Sequence, residues 1–332
     1  MVNVISLFCG CGGSSLGYKR AGCDIRLASD FNPVALQTYN LNFPQTQTLL
    51  EDIRKIDDKL VTKLTKIEPN ELDILDGSPP CTPFSASGKR EKSWNKAYRH
   101  TGERTIQITN DLFYEYIRLV SELRPKTFIA ENVRGLIVGK SKGYFIDITK
   151  KLKELGYDIQ TFDINAKDFE VAQSRPRIII TGIRKDIIQN KQAKLKQHSE
   201  ISFYEATKDL KLNNEELEQA RNTITKSIQF QFTSKCKQGE AVEDYHFHNE
   251  GFNYMKVRLD KPIPTIVAHC DTLMHPTENR YLTLSELKRC ASFPDNFKFI
   301  SNHDGKIRIG NSVPPNLIKN VALYLIERAN LT

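Results

Sequence analysis

Val4-Ile5-Ser6-Leu7-Phe8-Cys9-Gly10-Cys11-Gly12-Gly13 opens the chain with an apolar run that breaks into glycines. The run predicts a buried strand, the glycines a tight turn, and the residues from Leu16 to Arg20 a helix. In that order the turn lets backbone approach a ligand closely, with helix N–H groups pointing at it. The pattern is Gly-x-Gly, but Ser15 stands where the dinucleotide fingerprint has its third glycine, so the match to that fingerprint is incomplete. Asp30 closes the next candidate strand, where an acid accepts hydrogen bonds from ribose hydroxyls. Asp52 follows, placed to meet an adenine amino group. Glycine turn and strand-end acids together suit an adenosine cofactor. On these residues alone, a merely structural turn with solvated acids stays open.

Working outward, short apolar runs alternate with amphipathic stretches, which predicts βα units around a mostly parallel sheet. Candidate strands cover residues 4–8, 25–29, 72–75, 127–130, 159–164 and 177–183, with helices over 16–20, 33–41, 112–123 and 145–155. Leu112, Tyr116, Leu119 and Leu123 share one helical face. The character changes near Lys185, and residues 186–257 are polar with a charged helical stretch at 215–221. The expected domains are a catalytic and cofactor-binding domain over 1–185, a smaller one over 186–300 with its core at 186–257, and a segment 301–332 that returns to the first.

The 332 residues carry 48 Lys+Arg against 40 Asp+Glu, net +8, with 39% hydrophobic and 27% charged residues. That composition excludes a disordered tail, a collagen-like fibre and a disulfide scaffold. The longest apolar runs, such as Ile178-Ile179-Ile180, fall far short of the roughly 20 residues of a membrane helix. Seven cysteines, an odd number, fit a reducing cytoplasm. Cys9 and Cys11 are too close for most metal sites and have no second pair, so no metal is expected.

Asp76-Gly77-Ser78-Pro79-Pro80-Cys81-Thr82-Pro83-Phe84-Ser85 directly follows the 72–75 strand. The prolines restrict the backbone just before Cys81, at a strand's C-terminal edge, where open α/β sheets bind ligands. A thiolate there is a natural nucleophile. Ala130-Glu131-Asn132-Val133 offers a carboxyl group at another strand end, and Gln173-Ser174-Arg175-Pro176-Arg177 brings two guanidinium groups at alternate positions. Singly each has a bland reading: a buried thiol, a solvated acid, a salt-bridged arginine. Together they outline a covalent-catalysis site.

These blocks, with Gly310-Asn311-Ser312-Val313-Pro314 after them, resemble in order the motifs of the bacterial-type cytosine-C5 DNA methyltransferases. Arg258-Leu259 with Pro264-Thr265, and Leu282-Thr283 through Glu286 to Phe293-Pro294-Asp295, extend the resemblance to nearly the whole chain except 186–257. It implies an α/β, Rossmann-like S-adenosylmethionine-dependent methyltransferase sheet with a smaller target-recognition domain. It also implies methyl transfer to C5 of a flipped-out cytosine in a specific double-stranded DNA sequence. Cys81 would add to C6, Glu131 in acid form would meet N3, Arg177 would contact O2, and Arg175 would support the site. For S-adenosylmethionine, and its product S-adenosylhomocysteine, the implied contacts are Phe8, Gly10, Gly12, Asp30, Phe31, Asp52, Ile53, Pro80, Asn311 and Val313. The chain departs from the family at Asp30, usually Glu, and at Thr82, usually Gln. Ile108-Thr109-Asn110-Asp111 also stands where an Arg-Gly pair is usual.

Charge placement adds a DNA contact. Residues 88–108 hold Lys89, Arg90, Lys92, Lys96, Arg99 and Arg104 against Glu91 and Glu103, net +4 and half of the excess. This predicts a lid closing over a phosphate backbone, with Ser85, Ser87, Lys89, Arg90, Lys92 and Arg104 as DNA contacts. Residues 185–257 balance 11 basic with 11 acidic side chains, so base reading there rests on shape and hydrogen bonds. Tyr245, His246, His248, Asn249 and Asn253 are candidate readers. The expected setting is a monomer in the bacterial cytoplasm, associated with the nucleoid through DNA, either paired with a restriction endonuclease of the same site or acting as a solitary enzyme. Three rivals remain. A tRNA methyltransferase of this lineage usually carries Cys-Phe-Thr, but Cys236 precedes Lys237-Gln238. An amino-methylating enzyme shares Ser78-Pro79-Pro80 but needs no thiol after it. A catalytically dead DNA-binding homologue would not need Cys81, Glu131 and Arg177 intact.

Overall fold

A computed structural model describes residues 1–79, 97–99, 106–108, 112–190, 192–225, 235–241, 254–268 and 271–332. Pro80, Cys81, Ser85, Ser87, Lys89, Arg90, Lys92 and Arg104 lie outside the described residues, as do the candidate readers Tyr245, His246, His248, Asn249 and Asn253.

The chain runs β1 (Asn3–Leu7), α1 (Gly13–Arg20), β2 (Asp24–Asp30), α2 (Pro33–Asn42), β3 (Gln47–Leu50), α3 (Asp58–Thr65) and β4 (Ile74–Gly77). A short antiparallel pair, β5 (Ala97–Arg99) and β6 (Ile106–Ile108), falls inside the basic 88–108 segment. Then come α4 (Leu112–Leu123), β7 (Thr127–Val133), α5 (Lys142–Glu154), β8 (Tyr157–Asn165) and β9 (Pro176–Arg184). The main sheet has seven strands in the order β3-β2-β1-β4-β7-β9-β8. The first five are parallel; β9 pairs antiparallel with both β7 and β8. The βα alternation predicted a mostly parallel sheet, and the family resemblance implied its Rossmann-like methyltransferase form; both match the observed order.

Strand order reverses between β1 and β4, because β2 and β3 are laid down on one side of β1 and β4 on the other. The crevice outside the C-terminal ends of β1 and β4 is therefore the place where such a sheet binds ligands. One end carries the glycine turn and the other Ser78-Pro79.

Two compact units divide the chain: residues 1–165, 176–196 and 315–332 in the first, and 166–175 and 197–314 in the second. Of the segment 301–332, only the part from Pro315 packs in the sheet-bearing unit, while residues 166–175 leave it. Packing decides the split, and composition cannot show it.

In the first unit, Leu112, Tyr116, Leu119 and Leu123 of α4 are all at most 2% exposed, so the helical face read from their spacing is the buried one. They pack with Ile5, Leu7, Leu75, Phe128 and Ile180 of the sheet and with Ile148 and Leu152 of α5. The helix Pro315–Ala329 covers α1. A Cβ at Gly17 would fall 2.5 Å from the Pro315 carbonyl oxygen, so glycine sets how closely these helices approach. Arg20 donates to Asn316 Oδ1 at 2.6 Å across the same contact. In the second unit Arg280, only 1% exposed, pairs with Glu286 at 2.8 Å and with Glu278. Glu286 also closes a capping box with Thr283 on the helix Leu284–Cys290.

Candidate active site

The turn after β1 is held by Cys9 N–H on Ser29 O at 3.0 Å and Gly12 N–H on Cys9 O at 2.9 Å. Phe8, Gly10 and Gly12 all have positive φ, of 54°, 53° and 98°. At Gly12 a Cβ would sit 2.3 Å from the Phe43 ring, so conformation and space both require glycine. At Gly10 a Cβ would meet no heavy atom within 4 Å. The backbone there borders open space, so a ligand group can come close to it.

Asp30 is tied to this turn. Its Oδ2 accepts from Gly10 N at 2.8 Å, and its Oδ1 accepts from Asn32 N at 2.9 Å. The carboxylate therefore ties the glycine loop, through Oδ2, to Asn32 at the start of α2, through Oδ1. Asn32 caps α2 through Val34 N and Ala35 N. Asp52 caps the short turn Ile53–Lys55 and pairs with Arg54 at 2.9 Å, and Ile53 beside it is buried. Phe8 is half-buried and packs on the central core.

Beyond β4 the chain passes Ser78 and the buried Pro79 on its way to Cys81. Asn132, 4% exposed, reaches from β7 and donates to Pro79 O at 3.1 Å. Next to it, Arg177 Nε meets Glu131 Oε1 at 2.8 Å, both side chains being 12% exposed. Their pairing follows from topology. β9 runs antiparallel to β7 with Val133 opposite Arg177 and Glu131 opposite Ile179, so the two charged groups share the strand-end rim. Arg177 also donates to Pro176 O at 2.7 Å, which fixes the guanidinium plane.

Arg175 goes elsewhere. It is 4% exposed and donates to Ile266 O at 3.2 Å and Gly310 O at 2.8 Å, all within the second unit. Gln173 and Ser174 pair beside it with the segment around Ile263. The alternate arginines thus serve different structures: Arg177 faces Glu131, and Arg175 holds the backbone just before Asn311. Asn311 is exposed and Val313 buried in that second unit.

Two residues here have partners that their sequence positions do not reveal: Asn132, whose bond to Pro79 O spans 53 positions, and Asp76. Asp76, 2% exposed, accepts from Ser6 Oγ at 2.7 Å and Tyr18 OH at 3.0 Å. Its signal was available, since an acid inside the apolar strand Ile74-Leu75-Asp76-Gly77 is unusual. Burial pushes this carboxyl up to about 7; the Ser6 and Tyr18 hydrogen bonds oppose the rise and the Glu131 charge adds to it. Burial, with the Asp30 charge next in weight, holds the Cys9 thiol well above its ordinary range. Among the described residues no group of three or more His, Cys, Asp or Glu is arranged to hold a metal. Nor is any helix among them long and apolar enough to cross a membrane.

Comparison with known proteins agrees with this geometry. Residues 2–327 match the family model of the C-5 cytosine-specific DNA methylases. The type II methyltransferase M.NgoPII of Neisseria gonorrhoeae is 30% identical over 97% of this chain and 94% of its own length. M1.HphI of Haemophilus parahaemolyticus is also 30% identical, over 97% of this chain and 86% of its own. Among solved structures, a prophage-encoded DNA modification methyltransferase (E. coli) superposes with a TM-score of 0.77 at 23% identity, covering 99% of this chain and all of that one. The Entamoeba histolytica methyltransferase EhMeth gives 0.69 at 18% identity, covering 98% of each chain. The chain belongs to the C-5 cytosine-specific DNA methylases and is a DNA cytosine-5-methyltransferase.

Proposed function

We propose that this enzyme methylates C5 of a flipped-out cytosine in a specific duplex sequence through a covalent bond between Cys81 and C6. The observation that carries the reading is the Arg177–Glu131 pair at 2.8 Å on the strand-end rim, one residue from the Asn132 bond to Pro79 O. It supports an acid and a base-holding guanidinium beside the chain segment that leads to Cys81.

Cytosine C5 is too weak a nucleophile to attack a sulfonium methyl. Addition of the Cys81 thiolate to C6 pushes electron density toward N3 and C5. Glu131 in its acid form donates to N3, while Arg177 holds both that carboxyl and the cytosine O2. S-adenosylmethionine, when bound, supplies the electrophilic methyl group. The C5 proton then leaves to a base, and elimination of Cys81 restores the C5=C6 bond. The reacting ring atoms are inaccessible in a stacked duplex, so the base must leave the helix, at a cost of a few kcal/mol offset by pocket contacts.

The cofactor's methionine end is assigned to Phe8, Gly10, Gly12 and Pro80, its ribose and adenine to Asp30, Phe31, Asp52 and Ile53. Asn311 and Val313 are assigned by their sequence block. The basic 88–108 segment, with Ser85, Ser87, Lys89, Arg90, Lys92 and Arg104, meets the DNA backbone. The enzyme acts as a monomer on the nucleoid of a bacterial cytoplasm, beside an endonuclease of matching specificity. Bisulfite sequencing of DNA from a host expressing the chain tests activity and target together. Protected cytosines within one recurring sequence support the reading, and none, from well-expressed protein, contradicts it.

A further inference from the structure

Asp76 is a buried carboxyl that the reaction above leaves without a task. It lies on β4 at the switch point, in register with Ser6 of β1, and Tyr18 reaches it from α1. The titratable groups around it are Cys9 after β1, Tyr18 on α1, Tyr39 on α2, Tyr116 on α4 and Glu131 on β7. All are acids. Among the described residues no lysine, arginine or histidine pairs with Asp76. Burying an acid without a cation is costly, so the site has an unmet demand for positive charge. Burial accordingly raises the carboxyl to about 7, where it changes charge near neutrality.

The ligand assigned to the crevice above differs from its own product in one respect that matters here: S-adenosylmethionine carries a permanent sulfonium charge, and S-adenosylhomocysteine is a neutral thioether. We propose that Asp76 is a specificity-determining residue whose carboxylate favours the sulfonium cofactor over the neutral product. The proposal rests on the cofactor reading given above. It accounts for a buried acid on β4, beside the strand that leads into the glycine turn, with donors on both oxygens, since Ser6 and Tyr18 stabilise the charged form that attracts a cation. Once the methyl group has left, the attraction is gone and product release is favoured. Linkage adds a second consequence. A cation bound above Asp76 favours its ionised form, so cofactor binding near pH 7 expels a proton and product binding does not.

Titration calorimetry of both ligands on wild type and Asp76→Asn tests this. At pH 7.5 the preference for S-adenosylmethionine should fall about three- to tenfold in the variant, the order expected when one of two interacting unit charges is removed. At pH 6 the two proteins should converge; the ligands' own titration is common to both. In wild type at pH 7, heats in two buffers of different ionisation enthalpy should reveal proton release with S-adenosylmethionine alone, a result that does not depend on the variant folding. An unchanged preference in Asp76→Asn, or equal proton release for both ligands, overturns the proposal while leaving the cofactor reading intact. Binding of neither ligand to wild type overturns the cofactor reading and this inference with it.

Discussion

Asn132 donates to the carbonyl oxygen of Pro79 at 3.1 Å, so the strand that carries Glu131 also holds the backbone two residues before Cys81. The proposed acid and the chain leading toward the proposed nucleophile are thereby tied to neighbouring residues of one strand end. Asn132→Ala leaves a buried carbonyl without its donor, which costs about 1–3 kcal/mol. Methyl transfer should slow by one to two orders of magnitude while affinity for S-adenosylmethionine stays near wild type. Single-turnover rates beside a binding isotherm check the split.

Arg177→Ala strands the Glu131 carboxylate, and removing one partner of a largely buried ion pair typically costs about 3–5 kcal/mol. Exposure of 12% on each side chain puts the expected loss at the lower end of that range. Glu131→Gln, by contrast, keeps shape and a hydrogen bond to Arg177. It should fold normally and lose 10²- to 10⁴-fold in rate, the usual contribution of a general acid. Denaturant melts and turnover rates for the two variants separate the structural role of the pair from its chemical one.

Asp76 also predicts how stability depends on pH. Its carboxyl stands at about 7 in the fold against 3.8 in an open chain, so the native state binds the extra proton between those values. The contribution is complete below pH 4 and is lost as pH rises through 7. At 1.36 kcal/mol per pH unit it is worth on the order of 4 kcal/mol. Unfolding midpoints in denaturant from pH 4.5 to 8 should decline for wild type and run flatter for Asp76→Asn.

Neutralising Lys89, Arg90 and Lys92 removes three candidate phosphate contacts. The slope of log affinity against log salt should become shallower by about 0.9 per contact, with the methylated sequence unchanged. Filter binding at several salt concentrations measures it.

Much of this architecture was legible. The β1 run and its glycines gave turn and helix because no other residue tolerates the backbone at Gly12, and α4 declared itself through the spacing of Leu112, Tyr116, Leu119 and Leu123. The edge strand β3 went unread, since Gln47-Thr48-Leu49-Leu50 is too short to show a period. Helix α3 was missed too, with Asp58 to Thr65 largely polar. Arg175 and Arg177 looked like a matched pair two residues apart. Only folding reveals that one grips Ile266 and Gly310 and the other Glu131. Asp76 carried a signal in its apolar strand, but its partners Ser6 and Tyr18 lie 70 and 58 positions away.

The central claim is that Cys81 attacks C6, and a duplex carrying 5-fluorocytosine at the target position tests it most directly. Fluorine at C5 cannot leave as a proton does, so the covalent intermediate accumulates after methyl transfer. With S-adenosylmethionine present, wild type should form a denaturation-resistant protein–DNA adduct that maps to Cys81 by peptide mass, and Cys81→Ser should form none. Absence of the adduct in wild type that binds both DNA and cofactor, or its persistence in Cys81→Ser, would contradict the account.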